Sequence, residues 1–234
     1  MRGVTDPKEA ARRAAAAAAV ERLEAGMTIG LGSGRAVWKV IEAIAERWPD
    51  GIPLRATVAS SLTEEVARTA GIELVSLDDA HSVDVAIDGA DEVDPDLGLI
   101  KGGGGALLRE KLVVVSARRF IVVAETDKRV DRLGETRGVP VEVVRFGWHC
   151  TLERLLDAGV PAADLRAMDD DGSPFITDEG HVIVDCAVPP AGDVADYALA
   201  LKAQTGVVEH GLFLGMADEV LLGAPDGSLV ELVA

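Results

Sequence analysis

Met27-Thr-Ile-Gly-Leu-Gly32, the turn Ser33-Gly34-Arg35-Ala36, and the segment Val37 to Trp48 decide the fold. The first is an apolar run of strand length, and the turn is glycine-rich. The third carries Val37, Val40, Ile41 and Ile44 at helical spacing. The same succession recurs downstream. Leu54 to Ala59 reads as a strand and Leu62 to Ala70 as a helix, with Ser61 and Glu64 spaced as a capping box. Ile72 to Leu77, Val83 to Ile87 and Phe120 to Ala124 are further strands, and Leu107 to Val115 is a helix between the last two. Near-continuous apolar strands alternating with helices predict an α/β fold: a Rossmann-like parallel sheet with helices on both faces.

Upstream, Thr5-Asp6-Pro7 opens an alanine-rich stretch. Arg12-Arg13 followed by Ala14 to Val20 superficially resembles a twin-arginine signal, but Asp6, Lys8 and Glu9 precede it and Glu21-Arg22 ends it, so an amphipathic helix is expected. After about Gly134 the rhythm changes. Pro140 to Val144, Asp164 to Met168, His181 to Val188 and Val207 to Leu214 read as strands, and Leu152 to Ala158 and Val194 to Gln204 as helices. This β-α-β-β-α-β order predicts a smaller ferredoxin-like α+β domain. Glu219 to Leu222 and Leu229 to Val233, joined at Pro225-Asp226-Gly227, read as a hairpin returning to the first sheet. The expected division is 1–134 plus 215–234 around an inserted 135–214.

A length of 234 residues fits that arrangement. With 23 basic and 40 acidic residues the formal charge is −17, which disfavours a nucleic-acid partner. Two cysteines, Cys150 and Cys186, exclude a disulfide scaffold and fit a reducing cytoplasm. No apolar run is long enough to span a bilayer, so no membrane partner is expected.

Three clusters follow strands, where open α/β sheets form their ligand crevice. In Gly30-Leu31-Gly32-Ser33-Gly34-Arg35-Ala36 the dinucleotide fingerprint would need a glycine at position 35, and the phosphate-loop Gly-Lys-Ser/Thr is missing. No nucleotide cofactor is expected, although a glycine turn opening a helix can bind a phosphate. Asp88-Gly89-Ala90-Asp91-Glu92 closes an apolar strand with carboxylates suited to proton transfer. Asp88 is the better candidate there, with Glu92 and Asp94 read as a solvated loop. Lys101-Gly102-Gly103-Gly104-Gly105 can bring backbone amides and an ammonium to an anion. From spacing alone Glu110, between Arg109 and Lys111, reads as a helix-surface carboxylate. Lys128 is a further cation after a strand. His81, His149, His181 and His210 lack ligand spacing, and no metal is expected.

Asp-Gly-Ala-Asp-Glu at 88–92, Lys-Gly-Gly-Gly-Gly-Ala at 101–106, Arg-Glu-Lys at 109–111, Pro-Phe-Ile-Thr-Asp-Glu-Gly at 174–180 and Val-Val-Glu-His-Gly-Leu-Phe at 207–213 together resemble the ribose-5-phosphate isomerase A family. So does the ending Ala217-Asp-Glu-Val with Pro225-Asp-Gly. The resemblance implies an aldose–ketose isomerase of the pentose phosphate pathway that needs no metal or cofactor and forms homodimers or homotetramers. It implies that Glu110 is the general base, that Asp88, with Asp91, handles hydroxyl protons, and that Lys101 stabilises an enediolate oxygen. It further implies a substrate lined by Ser33, Gly34, Arg35, Ala36, Gly89, Ala90, Gly102, Gly103, Gly104 and Lys128. The family's first loop ends in two hydroxyl residues where Arg35 and Ala36 stand here. The alternative is a non-catalytic sugar-phosphate-sensing domain like those of some bacterial transcription regulators. The segment before Met27 is too short for their DNA-reading motif, and Asp88, Lys101 and Glu110 favour an enzyme.

Overall fold

A computed structural model describes residues 7–80, 82–168 and 171–234. Thr5, Asp6 and His81, singled out above, lie outside the described residues. In chain order the helices are α1 (Pro7–Glu21), α2 (Gly34–Arg47), α3 (Ser61–Thr69), α4 (Leu107–Val115), α5 (Trp148–Asp157) and α6 (Val194–Lys202). The strands are β1 (Thr28–Leu31), β2 (Arg55–Val58), β3 (Glu73–Leu74), β4 (Val85–Asp88), β5 (Glu92–Val93), β6 (Leu99–Ile100) and β7 (Phe120–Glu125). They continue as β8 (Val139–Val143), β9 (Ala163–Leu165), β10 (Val182–Cys186), β11 (Val207–His210), β12 (Leu212–Phe213), β13 (Glu219–Gly223) and β14 (Leu229–Val233). Close contacts divide the chain into two compact units, 1–90 with 109–129 and 215–234, and 91–108 with 130–214. Residues 91–108 and 130–134, assigned to the first segment on sequence, thus group with the second.

The first unit is built on a seven-stranded sheet ordered β14-β13-β7-β4-β1-β2-β3. Its strands pair in parallel except for the β13–β14 hairpin. Ile29, Leu31, Val85, Ile87, Ile121 and Val123 point to one face and pack with Val37, Val40, Ile41 and Ile44 of α2 and the alanines of α1. Alanine suits α1 because small side chains let the helix sit almost on the backbone. A Cβ at Gly223 would fall 1.8 Å from the carbonyl oxygen of Ala11. On the opposite face Gly30 gives room to α4, since a Cβ there would lie 2.4 Å from Val113 Cγ1. Helices therefore cover both faces. The N-cap falls one residue earlier than expected: Ser60 caps α3, its hydroxyl accepting from the Thr63 amide at 3.1 Å, and the third position of the helix is Thr63 rather than Glu64. Ile72 to Leu77 pairs only at Glu73–Leu74, on the sheet edge.

The second unit holds a four-stranded antiparallel sheet ordered β11-β8-β10-β9, which is the split β-α-β arrangement. Val139, Val141, Val143, Val182 and Val184 bury one face with Leu155 of α5 and Leu201 of α6. A separate three-stranded sheet, β12-β6-β5, has strands of two residues each and no readable periodicity. The expected strand Val207 to Leu214 breaks at Gly211. Its first half pairs with β8 and its second with β6. The break has a steric reason, because a Cβ at Gly211 would lie 2.1 Å from the carbonyl oxygen of Lys101.

Candidate active site

In the first unit the chain goes from β1 outward to β2 and β3, then returns to place β4 on β1's other side. The loops after β1 and β4 therefore diverge, and a crevice opens at the carboxyl ends of these strands. Both loops carry the residues singled out from sequence. Asp88 ends β4 and is 1% exposed. Its Oδ1 accepts the backbone N–H groups of Ser33, at 3.1 Å, and Gly89, at 2.7 Å. Gly32 makes this approach possible, because a Cβ there would lie 1.8 Å from Asp88 Cγ. Gly34 opens α2 with φ +83°, a left-handed conformation that glycine adopts without strain.

Glu110 lies in the first turn of α4 and is 3% exposed. The Ser33 hydroxyl donates a short hydrogen bond to its Oε1. Burial replaces the helix-surface reading: the carboxylate of the Arg-Glu-Lys run faces inward, towards the turn after β1. One serine thus engages both carboxylates, Asp88 through its amide and Glu110 through its hydroxyl. Ala36 is in van der Waals range of the Gly89 position, Arg35 is exposed, and Lys128 is half-buried at the end of a 3-10 turn following β7.

The second unit holds the other set. Lys101, 2% exposed, follows β6; its backbone N–H donates to the Gly211 carbonyl at 2.8 Å. Its ammonium stands 5.4 Å from the centre of the Phe213 ring. The Gly-Leu-Phe of the 207–213 run therefore holds the lysine at both its backbone and its ammonium. Asp91 Oδ2 accepts the Gly103 N–H at 2.7 Å. Gly102 and Gly105 have φ of +96° and +82°, so the loop's turn requires glycine at both.

Glu92 and Asp94 are not a solvated loop. Glu92 is fully buried and accepts the amides of Gly134, Thr136 and Arg137 at 2.6, 2.6 and 2.8 Å, with the Thr136 hydroxyl at 2.6 Å. Asp94 closes a turn through the amides of Asp96 and Gly98, and burial pushes its carboxyl above the usual range. Arg166 gave no sequence signal, yet it holds the carbonyls of the glycine loop. Among the described residues no group of three or more His, Cys, Asp or Glu is placed to hold a metal ion. The Cys186 thiol is pushed up to about 12 by burial, which keeps it protonated.

Comparison with known proteins agrees with these motifs. A family model described as ribose 5-phosphate isomerase A (phosphoriboisomerase A) matches residues 56–227. The chain belongs to the ribose-5-phosphate isomerase A family. A relative from Roseiflexus castenholzii named ribose-5-phosphate isomerase A is 47% identical over 94% of this chain and 94% of its own. The solved ribose 5-phosphate isomerase from Plasmodium falciparum superposes with TM-score 0.90 at 36% identity, covering 95% of this chain and 97% of its own. A D-ribose-5-phosphate isomerase in complex with phospho-erythronic acid gives TM-score 0.89 at 35% identity, with coverage of 95% and 97%.

Proposed function

We propose that this protein interconverts D-ribose 5-phosphate and D-ribulose 5-phosphate by proton transfer through an enediolate. The observation that carries the reading is the contact of half-buried Ser33 with both Glu110 and Asp88, themselves buried, at the switch point of the sheet. A carboxylate can move a proton between adjacent carbons only when it is held in one place and kept from bulk water.

The furanose opens as Asp88 takes the proton of the anomeric hydroxyl and delivers it to the ring oxygen. Glu110 then removes the proton on C2 of the open aldehyde, and negative charge develops on O1. Lys101 and the amides of Gly102 and Gly104 meet that charge, while the Gly103 N–H holds Asp91 in place, and this is where fixed cations and N–H dipoles act most strongly. Glu110 returns the proton to C1, while Asp88 and Asp91 carry the hydroxyl proton from O2 to O1. The product is the ketose, and every group ends as it began. Ser33, Gly34, Arg35, Ala36, Gly89, Ala90 and Lys128 line the substrate in this reading, with Arg35 on the phosphate. The protein works as a homodimer or homotetramer in the cytoplasm. No described helix is long and apolar enough to cross a membrane.

Incubating the protein with ribose 5-phosphate in D₂O tests the reading. NMR should show ribulose 5-phosphate forming, with solvent deuterium entering at C1 of the ketose, without added metal or nucleotide. Absence of turnover under those conditions would sink it.

A further inference from the structure

We infer that Arg166, held by Asp185, is a positioning residue for the glycine loop, resting on the isomerase reading above. Arg166 follows β9, outside every motif quoted for the family resemblance. Its Nη1 donates to the carbonyl oxygens of Gly102, at 2.9 Å, and Gly103, at 3.0 Å. Its Nε donates to Asp185 Oδ2 at 2.9 Å and its Nη2 to Oδ1, a bidentate pair with a residue of β10. The guanidinium lies 6.0 Å from the centre of the Phe175 ring. That ring fills the space beside Gly105, where a Cβ would come within 2.3 Å of it.

Peptide planarity turns this clamp into an orientation of donors. All described peptide bonds are trans, so each N–H points opposite to the carbonyl preceding it. With the Gly102 carbonyl fixed on Arg166, the Gly103 N–H must point away, and it does, onto Asp91. With the Gly103 carbonyl fixed likewise, the Gly104 N–H is directed away from the guanidinium too. A cation on the two carbonyls also polarises both peptide groups and strengthens their N–H donors. A run of four glycines has wide conformational freedom. The Gly105 N–H, donating to the same Gly102 carbonyl at 2.9 Å, closes the turn, and Arg166 adds the fixed orientation of both carbonyls before substrate arrives, so little reorganisation is left for the moment when the oxyanion forms. It acts through the loop and touches neither substrate nor proton.

The test compares wild type with R166A, R166K and D185N, using turnover of ribose 5-phosphate and affinity for a phosphorylated four-carbon aldonate, whose carboxylate resembles the enediolate. R166A should lower kcat about 30- to 100-fold, the scale of a donor displaced by about an ångström, and raise KM less than threefold. Affinity for the aldonate should fall in step with kcat/KM. R166K should stay low, because one ammonium cannot hold two carbonyls and a bidentate carboxylate together. D185N, which keeps the shape and loses the charge, should fall in between. A cavity of about 260 Å³ borders Arg166, Asp185 and Asp91. Millimolar guanidinium ion should therefore restore part of the R166A rate, which a general loss of folding would not allow. Should R166A fail to fold, R166K and D185N decide. A kcat and an aldonate affinity within twofold of wild type in the soluble variants would overturn the clamp alone. An inactive wild type would overturn the isomerase reading, and the clamp with it.

Discussion

Glu110, the proposed base, is held in place by its neighbours. It is buried, it accepts from Ser33, and it stands at the start of a helix that the Gly30 gap admits close to the sheet. Glu110→Gln preserves the shape and the oxygen that Ser33 addresses while removing the base. Turnover should fall by about two to four orders of magnitude, with KM and melting temperature near wild type. Steady-state kinetics and thermal denaturation check this, and near-normal turnover would mean that another group takes the C2 proton. Gly32 tests the same cluster from the other side. Its methyl-bearing variant would place a carbon inside the Asp88 carboxyl, although the Gly32 backbone itself would accept alanine. Gly32→Ala should therefore displace Asp88 from the Ser33 amide and cost at least about 100-fold in kcat. Wild-type kcat in that variant would show that Asp88 can shift without consequence.

Elements differ in how far their position depends on residues distant in sequence. The carboxylate of Glu92, on a strand of two residues, ties down the chain at 134–137 through four hydrogen bonds. Glu92→Ala should cost about 2–4 kcal/mol of stability, with Glu92→Gln losing less because it keeps one accepting oxygen. Thermal or urea denaturation measures this, and a loss below about 0.5 kcal/mol would return Glu92 to the solvated surface. The contrast with the long elements is instructive. The β-α alternation around β1, α2, β4 and β7 was legible because a buried parallel strand reads as an apolar run and an amphipathic helix as a period. Asp88 and the glycine turns were legible for the same reason, since they end those runs. Glu110 was not, because a charged residue between Arg109 and Lys111 looks solvated until the helix is docked. Arg166, Glu92 and the break at Gly211 were hidden too. Each is fixed by a backbone far along the chain: the glycine loop, the 134–137 segment and Lys101. No local pattern encodes such a partner.

Whole-molecule charge sets a problem that only local structure can solve. At −17 the protein repels a sugar phosphate from a distance, so capture depends on cations close to the site. Arg35 is one such cation, exposed in the first turn of α2. The positive end of a helix offers a cation nothing, and the resembled family has a hydroxyl at this place, so the proposed phosphate contact is one of two readings of Arg35, the other being an exposed arginine paired with a surface acid. The two forces differ in reach. The Debye length shrinks from about 30 Å at 0.01 M salt to about 8 Å at 0.15 M, so moderate salt removes the long-range repulsion first. A guanidinium in contact with phosphate is weakened only at higher salt. In the wild type kcat/KM should rise and then fall as salt goes from about 0.01 to about 0.5 M, across the range over which screening becomes nearly complete. Arg35→Ala should raise KM roughly fivefold, the worth of about 1 kcal/mol for a charge-assisted contact at an exposed position. It should also flatten the falling limb, leaving the rise in place because the overall charge is almost the same. A melting temperature unchanged in the variant would assign both effects to binding. If KM and its salt response match wild type, Arg35 is an ordinary surface residue, and the turn after β1 holds substrate through Ser33 and backbone amides.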